Sequence, residues 1–157
     1  HVESEHIPVA RVNGVTTAIS APSGGIISGQ AILMHLDGWT VDEMAILRDA
    51  AMVISYPSLG GRGGRFPGAA MLAAARPQSF ADMRRQYEGR VKELSEWLEK
   101  ARHYAQALAA NPATERDRQL EALVPVVRGE MAVLLRADSA RDIRNAVEFA
   151  KKEKLKC

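Results

Sequence analysis

Apolar positions change their spacing several times along the chain, and each change predicts an element. Ser4 to Asn13 carries Ile7, Val9, Ala10 and Val12. That is the pattern of a short helix interrupted near Pro8 and stopped at Gly14, which tolerates a left-handed cap. Val15 to Ser20 is rich in β-branched residues and reads as a buried strand. After the Pro22-Ser23-Gly24-Gly25 turn, Ile32, Met34 and Leu36 alternate with Ala31, Leu33 and His35 inside Ile26 to Asp37. A period of two predicts a half-buried strand that can pair back as a hairpin. Thr40, with Glu43 three residues on, predicts a capped helix over Val41 to Asp49. Ala51 to Ser55 is a short apolar run and a further strand. Gly60 to Gly68 holds five glycines and a proline in nine residues, which predicts a loop.

The longest periodic signal begins at Ser79, a helix cap with Asp82 at the third position. From Phe80 through Tyr87, Leu94, Leu98 and Ala105 to Leu108, apolar residues recur at steps of three and four. One stripe therefore runs about 30 residues, or roughly 45 Å. A helix this long predicts that its outer half packs on a neighbouring element or a partner chain. Asn111-Pro112 ends it, and Glu115 to Arg128 predicts a second helix. Met131 to Leu135 is a continuous apolar run, as in a parallel strand covered on both faces. Ser139 with Asp142 then opens a helix whose buried face is read as Ala140, Ile143, Val147 and Ala150.

Composition narrows the class without naming a function. The 157 residues are 46% hydrophobic and 25% charged, which fits one globular domain and excludes wholesale disorder. A formal charge of +2 does not advertise nucleic acid, and no apolar run is long enough for a bilayer. The single Cys157 excludes an internal disulfide and leaves the compartment unassigned. No basic-then-apolar leader follows His1. The pattern stops after a helix, where an α/β protein would start its next strand, so the chain reads as a fragment of a larger protein.

Local chemistry is sparse. His1, His6, His35 and His103 are scattered, with no His-x-His and no helical pair four apart, so a self-contained zinc centre is not expected. Tyr56-Pro57-Ser58-Leu59-Gly60 lacks the first glycine of a nucleophile elbow. Arg62 and Arg65 sit among glycines that can cradle an anion, but neither phosphate-loop spacing is present. The turn Ser23-Gly24-Gly25 and the step Ser28-Gly29-Gln30 follow a strand, where α/β proteins put ligand loops. These glycines either frame a ligand, with Gln30 offering an amide, or only shape a hairpin. Arg136 and Asp138 follow the last strand in the same way. Asp138 with Ser139 can equally be a helix cap, whereas Arg136 asks for a buried partner or an anionic ligand.

Several of these stretches together resemble one family. Ile7-Pro8-Val9-Ala10-Arg11-Val12-Asn13-Gly14-Val15-Thr16-Thr17 resembles the entry to an early barrel strand in metal-dependent amidohydrolases. Gly24-Gly25-Ile26-Ile27-Ser28-Gly29-Gln30 and Leu36-Asp37-Gly38-Trp39-Thr40 are similar to the imidazolonepropionase-like branch. Leu123 to Glu130, leading into Ala132 to Asp138 and the helix to Phe149, fits the same pattern. The resemblance implies an α/β fold, a portion of a (β/α)8 TIM-type barrel spanning residues 1–157, with a long helical insertion over about 79–128. It implies an enzyme that hydrolyses amide-type C–N bonds of small molecules, with zinc or another divalent metal activating water.

A whole barrel takes about 250 residues, so this chain corresponds to a central portion. The family's first metal-binding histidines would precede His1, and its late histidine and aspartate would follow Cys157. The 157 residues alone are therefore expected to bind no zinc and to be inactive. Substrate contacts fall to Ser23, Gly24, Gly25, Gln30, Arg136 and Asp138. One departure stands out: where relatives end this strand on a metal-binding histidine, this chain has Arg136, which cannot coordinate metal. Either fewer metals are used, or Arg136 binds substrate, or activity has been lost. Two other readings remain open. One is a non-catalytic protein that associates, as a homo-oligomer among other forms, through the long helix 79–108. The other is an anion-binding module built on Arg62 and Arg65.

Overall fold

The structure is a computed structural model that describes residues 4–59, 79–111 and 113–157. The glycine loop 60–68, with Arg62 and Arg65, lies outside the described residues, as do His1 and Pro112. Helix α1 (His6–Val12) precedes strands β1 (Thr17–Ser20) and β2 (Ile27–His35). A single turn, α2 (Val41–Met44), leads into β3 (Ala45–Ser55). The helices α3 (Phe80–Ala110) and α4 (Arg118–Val127) then precede β4 (Ala132–Arg136) and α5 (Ala140–Lys152). The strands form one open sheet in the order β1-β2-β3-β4. The first two pairings are antiparallel, and β3 and β4 are parallel. A parallel pair cannot be joined by a tight turn, and α3 and α4 lie in the connection between β3 and β4.

Those two helices and α5 cover one face of the sheet. Met52 and Ile54 from β3 and Val133 from β4 meet Leu94, Leu98 and Ala101 of α3 in one buried cluster. Leu123 and Val126 of α4, with Ala146 and Phe149 of α5, complete it. The long stripe thus reaches its neighbour within the chain, and α3 runs 31 residues, about 46 Å. Leu94 and Leu98 are wholly buried there, so the two side chains that would carry association through this helix are occupied internally. The opposite face holds a thinner cluster of Ala31, Ala51 and Val53, packed by Ala21 and Ala132.

Five expectations need correcting. Pro8 does not interrupt α1: it stands in the first turn, where its missing N–H has no helical acceptor to lose. The helix ends as expected at Gly14 (φ +84°), with Gly14 N–H bonded to Arg11 O and Val15 N–H to Ala10 O. The β1 strand is not buried but is an outer strand, and Ile19 on it is 57% exposed. Capping chemistry at Thr40 forms, with Glu43 N–H on the Thr40 hydroxyl, yet only one helical turn follows. Ala45 to Asp49 instead joins β3 and pairs with β2, because ladder bonds to a neighbouring strand outweigh a weak local helix preference. Likewise β4 is covered on one face only, with Val133 buried and Leu134 39% exposed. On α5 the buried residues are Asp142, Ala146, Phe149 and Ala150, whereas Ile143 and Val147 are each about half exposed.

The C-terminal cap of α5 contains a residue in an unusual conformation. Leu155 N–H bonds Ala150 O and Lys154 N–H bonds Lys151 O, the same double closure that Gly14 makes in α1. Here the left-handed position is filled by Lys154 at φ +55°, which strains its Cβ. Lys154→Gly relieves that strain at the expense of a looser unfolded chain, a net gain of about 0.5 kcal/mol. The expected result is a thermal midpoint higher by about 1–2 °C. Just beyond the cap, Val133 N–H bonds Lys156 O at 2.7 Å, so the chain end returns to the outer side of β4.

Candidate functional site

The pairing pattern gives β1, β3 and β4 the same direction, with β2 running against them. Their C-terminal ends, Ser20, Ser55 and Arg136, therefore share one edge of the sheet, where open α/β sheets hold their ligands. The turn 21–26 leaves β1 at this edge and folds over the thinner face, with Ala21 packed on the alanine cluster. Two backbone bonds tie the edge together: Ser55 N–H to Ile26 O and Tyr56 N–H to Arg136 O, each 2.8 Å. Arg136 crosses the edge and donates from Nη1 to Pro22 O at 3.1 Å. Gly24 (φ +123°) and Gly25 (φ +68°) both take the left-handed backbone that lets the turn double back, and a Cβ on Gly24 would meet only open space.

The sequence-predicted residues do not all come together. Ser23, Gly24 and Gly25 lie exposed on the turn that Arg136 holds. Arg136 itself is exposed rather than buried, so the partner expected for it is a backbone carbonyl and its other donors face outward. Asp138 is exposed beside it and takes no part in the helix cap, which Ser139 makes alone by accepting from Asp142 N–H. Gln30 stands apart. It is paired with Met52, whose side chain belongs to the helix-covered cluster, while Ala31 and Ala51 one step on face the other way. The amide expected to face the same ligand as Arg136 is thus on the opposite side of the sheet.

Sequence reasoning missed a polar cluster at this edge on the helix-covered side. Tyr56, directly after β3, has its hydroxyl 3.1 Å from that of Tyr87 on α3, and Asn145 of α5 donates to Tyr87 at 3.2 Å. The two tyrosine rings meet edge to face, and Phe149 tilts against Tyr56 at 5.7 Å. Asp142, only 2% exposed, belongs to the same end of α5. Burial pushes the Tyr56 phenol well above its ordinary range, and the Tyr87 hydrogen bond and the Asp142 and Glu148 charges push the same way. Tyr56 is therefore a neutral hydroxyl and not a base at ordinary pH. Folding holds a proton here that the unfolded chain releases above about pH 10. Stability is accordingly full below that pH and falls as pH rises beyond it. Tyr56→Phe should flatten this alkaline fall, as read from urea midpoints between pH 9 and 11, roughly the tyrosine range.

The described histidines lie apart from one another. His6, His35 and His103 are exposed on α1, β2 and α3. Among the described residues no three His, Cys, Asp or Glu side chains gather where they could hold a metal ion. Arg136 at the strand end is a guanidinium that cannot coordinate a cation, so the described residues do not fit a divalent metal.

Among the described residues the architecture is a mixed α/β half-barrel: four strands, helices on one face, and strand ends gathered at one edge. It is similar to a solved amidohydrolase from Thermotoga maritima MSB8, with a TM-score of 0.76 at 17% identity. The match covers 99% of this chain and 39% of that one, so the likeness is of fold, and the chain spans well under half the length of that enzyme. No family model matches the chain, and no curated protein sequence does.

Proposed function

We propose that this chain is the substrate-contacting part of an amidohydrolase barrel that cleaves amide-type C–N bonds in small molecules, in the imidazolonepropionase-like branch. The observation that supports it is the superposition of nearly the whole chain on part of an amidohydrolase. On this reading the strand-end edge is the substrate side. The outward-facing donors of Arg136 bind the polarised carbonyl of an amide or a neighbouring carboxylate. The Ser23-Gly24-Gly25 turn brings backbone N–H groups close to the same ligand, because nothing projects from the glycines to keep it away. Asp138 accepts from an amide N–H beside it. Gln30 has no part in this, being on the other face. Zinc or another divalent metal would supply the activated water in the whole enzyme, held by residues other than those described here.

Two measurements test the reading. Hydantoin, a small cyclic amide, should shift the backbone amide resonances of Ser23, Gly24 and Gly25 saturably, and Arg136→Met should remove the effect. Shifts absent, or unaffected by that substitution, would overturn the substrate assignment. The chain dialysed after exposure to zinc is expected to retain far less than one metal per molecule and to leave hydantoin intact. Stoichiometric zinc with turnover would show instead that the chain carries a complete centre.

A further inference from the structure

We propose that Tyr87 of α3, backed by Asn145 of α5, is a positioning residue for Arg136; the inference rests on the reading that Arg136 meets the substrate. Arg136 is the last residue of β4, and its backbone is held from the neighbouring strand, where Tyr56 N–H donates to Arg136 O at 2.8 Å. Tyr56 lies one residue beyond the end of β3, whose register with β4 finishes at Ser55 and Arg136. Beyond that rung, the side chain of Tyr56 fixes its place. Tyr56 is 8% exposed, its ring set between Tyr87 and Phe149 with centroids 6.3 and 5.7 Å away. Its hydroxyl is 3.1 Å from that of Tyr87, which accepts from Asn145 Nδ2 at 3.2 Å.

Packing alone would not need those hydroxyls. Apolar contact is non-directional, and a phenyl ring fills nearly the same space as a phenol with no polar atom to satisfy. A hydrogen bond, by contrast, weakens steeply away from its preferred length and line. The bond between the two tyrosines thus sets where the Tyr56 ring stops, and the Asn145 amide sets where the Tyr87 hydroxyl stops. Through the Tyr56 N–H that position passes to the Arg136 carbonyl, at the root of the side chain whose Nη1 reaches Pro22 O at 3.1 Å. The Ser23-Gly24-Gly25 turn hangs on the same arginine, so both parts of the substrate side depend on that root. A misplacement of about 1 Å is costly in a group that orients a substrate. The three polar side chains on the helix-covered side therefore act on the ligand through Arg136 and not by touching it.

Tyr87→Phe keeps both rings and deletes the hydroxyl that ties them. The Arg136 Nε–H resonance, identified by its loss in Arg136→Met, should move in this variant with no ligand present. Hydantoin affinity should fall about fivefold, the worth of one neutral hydrogen bond. Asn145→Ala should act in the same direction by a smaller amount, and it carries the test if Tyr87→Phe does not fold. Glu153→Gln weakens a different tie between α3 and the end of α5. It should leave both the Arg136 resonance and the hydantoin affinity where they were, which a merely structural role for Tyr87 would not distinguish. A resonance unmoved by Tyr87→Phe and Asn145→Ala, or moved equally by Glu153→Gln, would remove the positioning role. Hydantoin that fails to bind the parent chain would remove the substrate reading instead, and the ligand-free resonance would still decide what Tyr87 does.

Discussion

Replacing Leu98 by aspartate should leave the chain unfolded at room temperature. Leu98 is wholly buried in the cluster where β3, β4, α3, α4 and α5 meet. Truncation to alanine at such a site costs about 3–4 kcal/mol through lost transfer energy and the cavity left behind. Aspartate adds the burial of a carboxyl group with no partner, several kcal/mol more. Together these approach the whole stability of an ordinary domain, about 5–15 kcal/mol. Far-UV circular dichroism and urea titration of Leu98→Asp and Leu98→Ala provide the check. The outcome also separates two roles for the long helix. If α3 existed to join copies of the chain, charge at Leu98 would release folded monomers with the original urea midpoint. A helix that instead forms the roof of its own sheet cannot lose Leu98 and stay folded.

Glu153→Ala should lower the thermal midpoint by about 5–10 °C, corresponding to about 2–3 kcal/mol. Glu153 follows α5, and its side chain is 9% exposed. One carboxylate oxygen accepts from Arg102 Nη2 at 2.9 Å and the other from Ser95 Oγ at 3.3 Å. Arg102 also donates to the Glu153 carbonyl at 2.8 Å. The clamp therefore fastens the end of α5 to two turns of α3. Removing the carboxylate leaves a guanidinium with one backbone acceptor. Arg102 is 35% exposed, and water there offsets part of the loss, which is why the figure falls below that for a fully buried pair. Glu153→Gln keeps an acceptor and should fall about half as far. Calorimetry of both variants gives the comparison, and an Ala variant melting with the parent chain would show that the clamp is incidental.

Elements whose signals are local and repeated were readable from sequence. The α3 stripe persists for eight turns, and the caps at Ser79 and Ser139 both form. The failures lie where distant residues decide. A capping box at Thr40 says where a helix can start, but the strand β2 determines that the chain leaves it after one turn. On α5, Ile143 and Val147 make as good an apolar face on paper as Ala146 and Phe149. The buried face is the one carrying the phenyl ring, which reaches Tyr56. At the strand ends, Arg136 and the Gly24-Gly25 turn were identifiable because strand termini are marked by composition. Gln30 reads as part of a glycine-bearing step after a strand, whereas it lies inside β2, because a glycine that suggests a turn can equally mark a bulge in a continuing strand. Tyr56, Tyr87 and Asn145 leave no sequence signature, being 31 and 58 residues apart.

The return of the chain to β4 also bears on handling. Among the described residues β4 is an outer strand of the sheet, and Lys156 O on Val133 N–H occupies one rung of its outer side. A strand margin of this kind recruits other chains and seeds aggregates. Lys154 and Lys156 lie on the segment that reaches this margin, and two such margins brought together would set their ammonium groups against one another. Like-charge repulsion thus guards solubility, and concentrated salt, which shortens its range to about 3 Å at 1 M, is the condition under which the protein should precipitate.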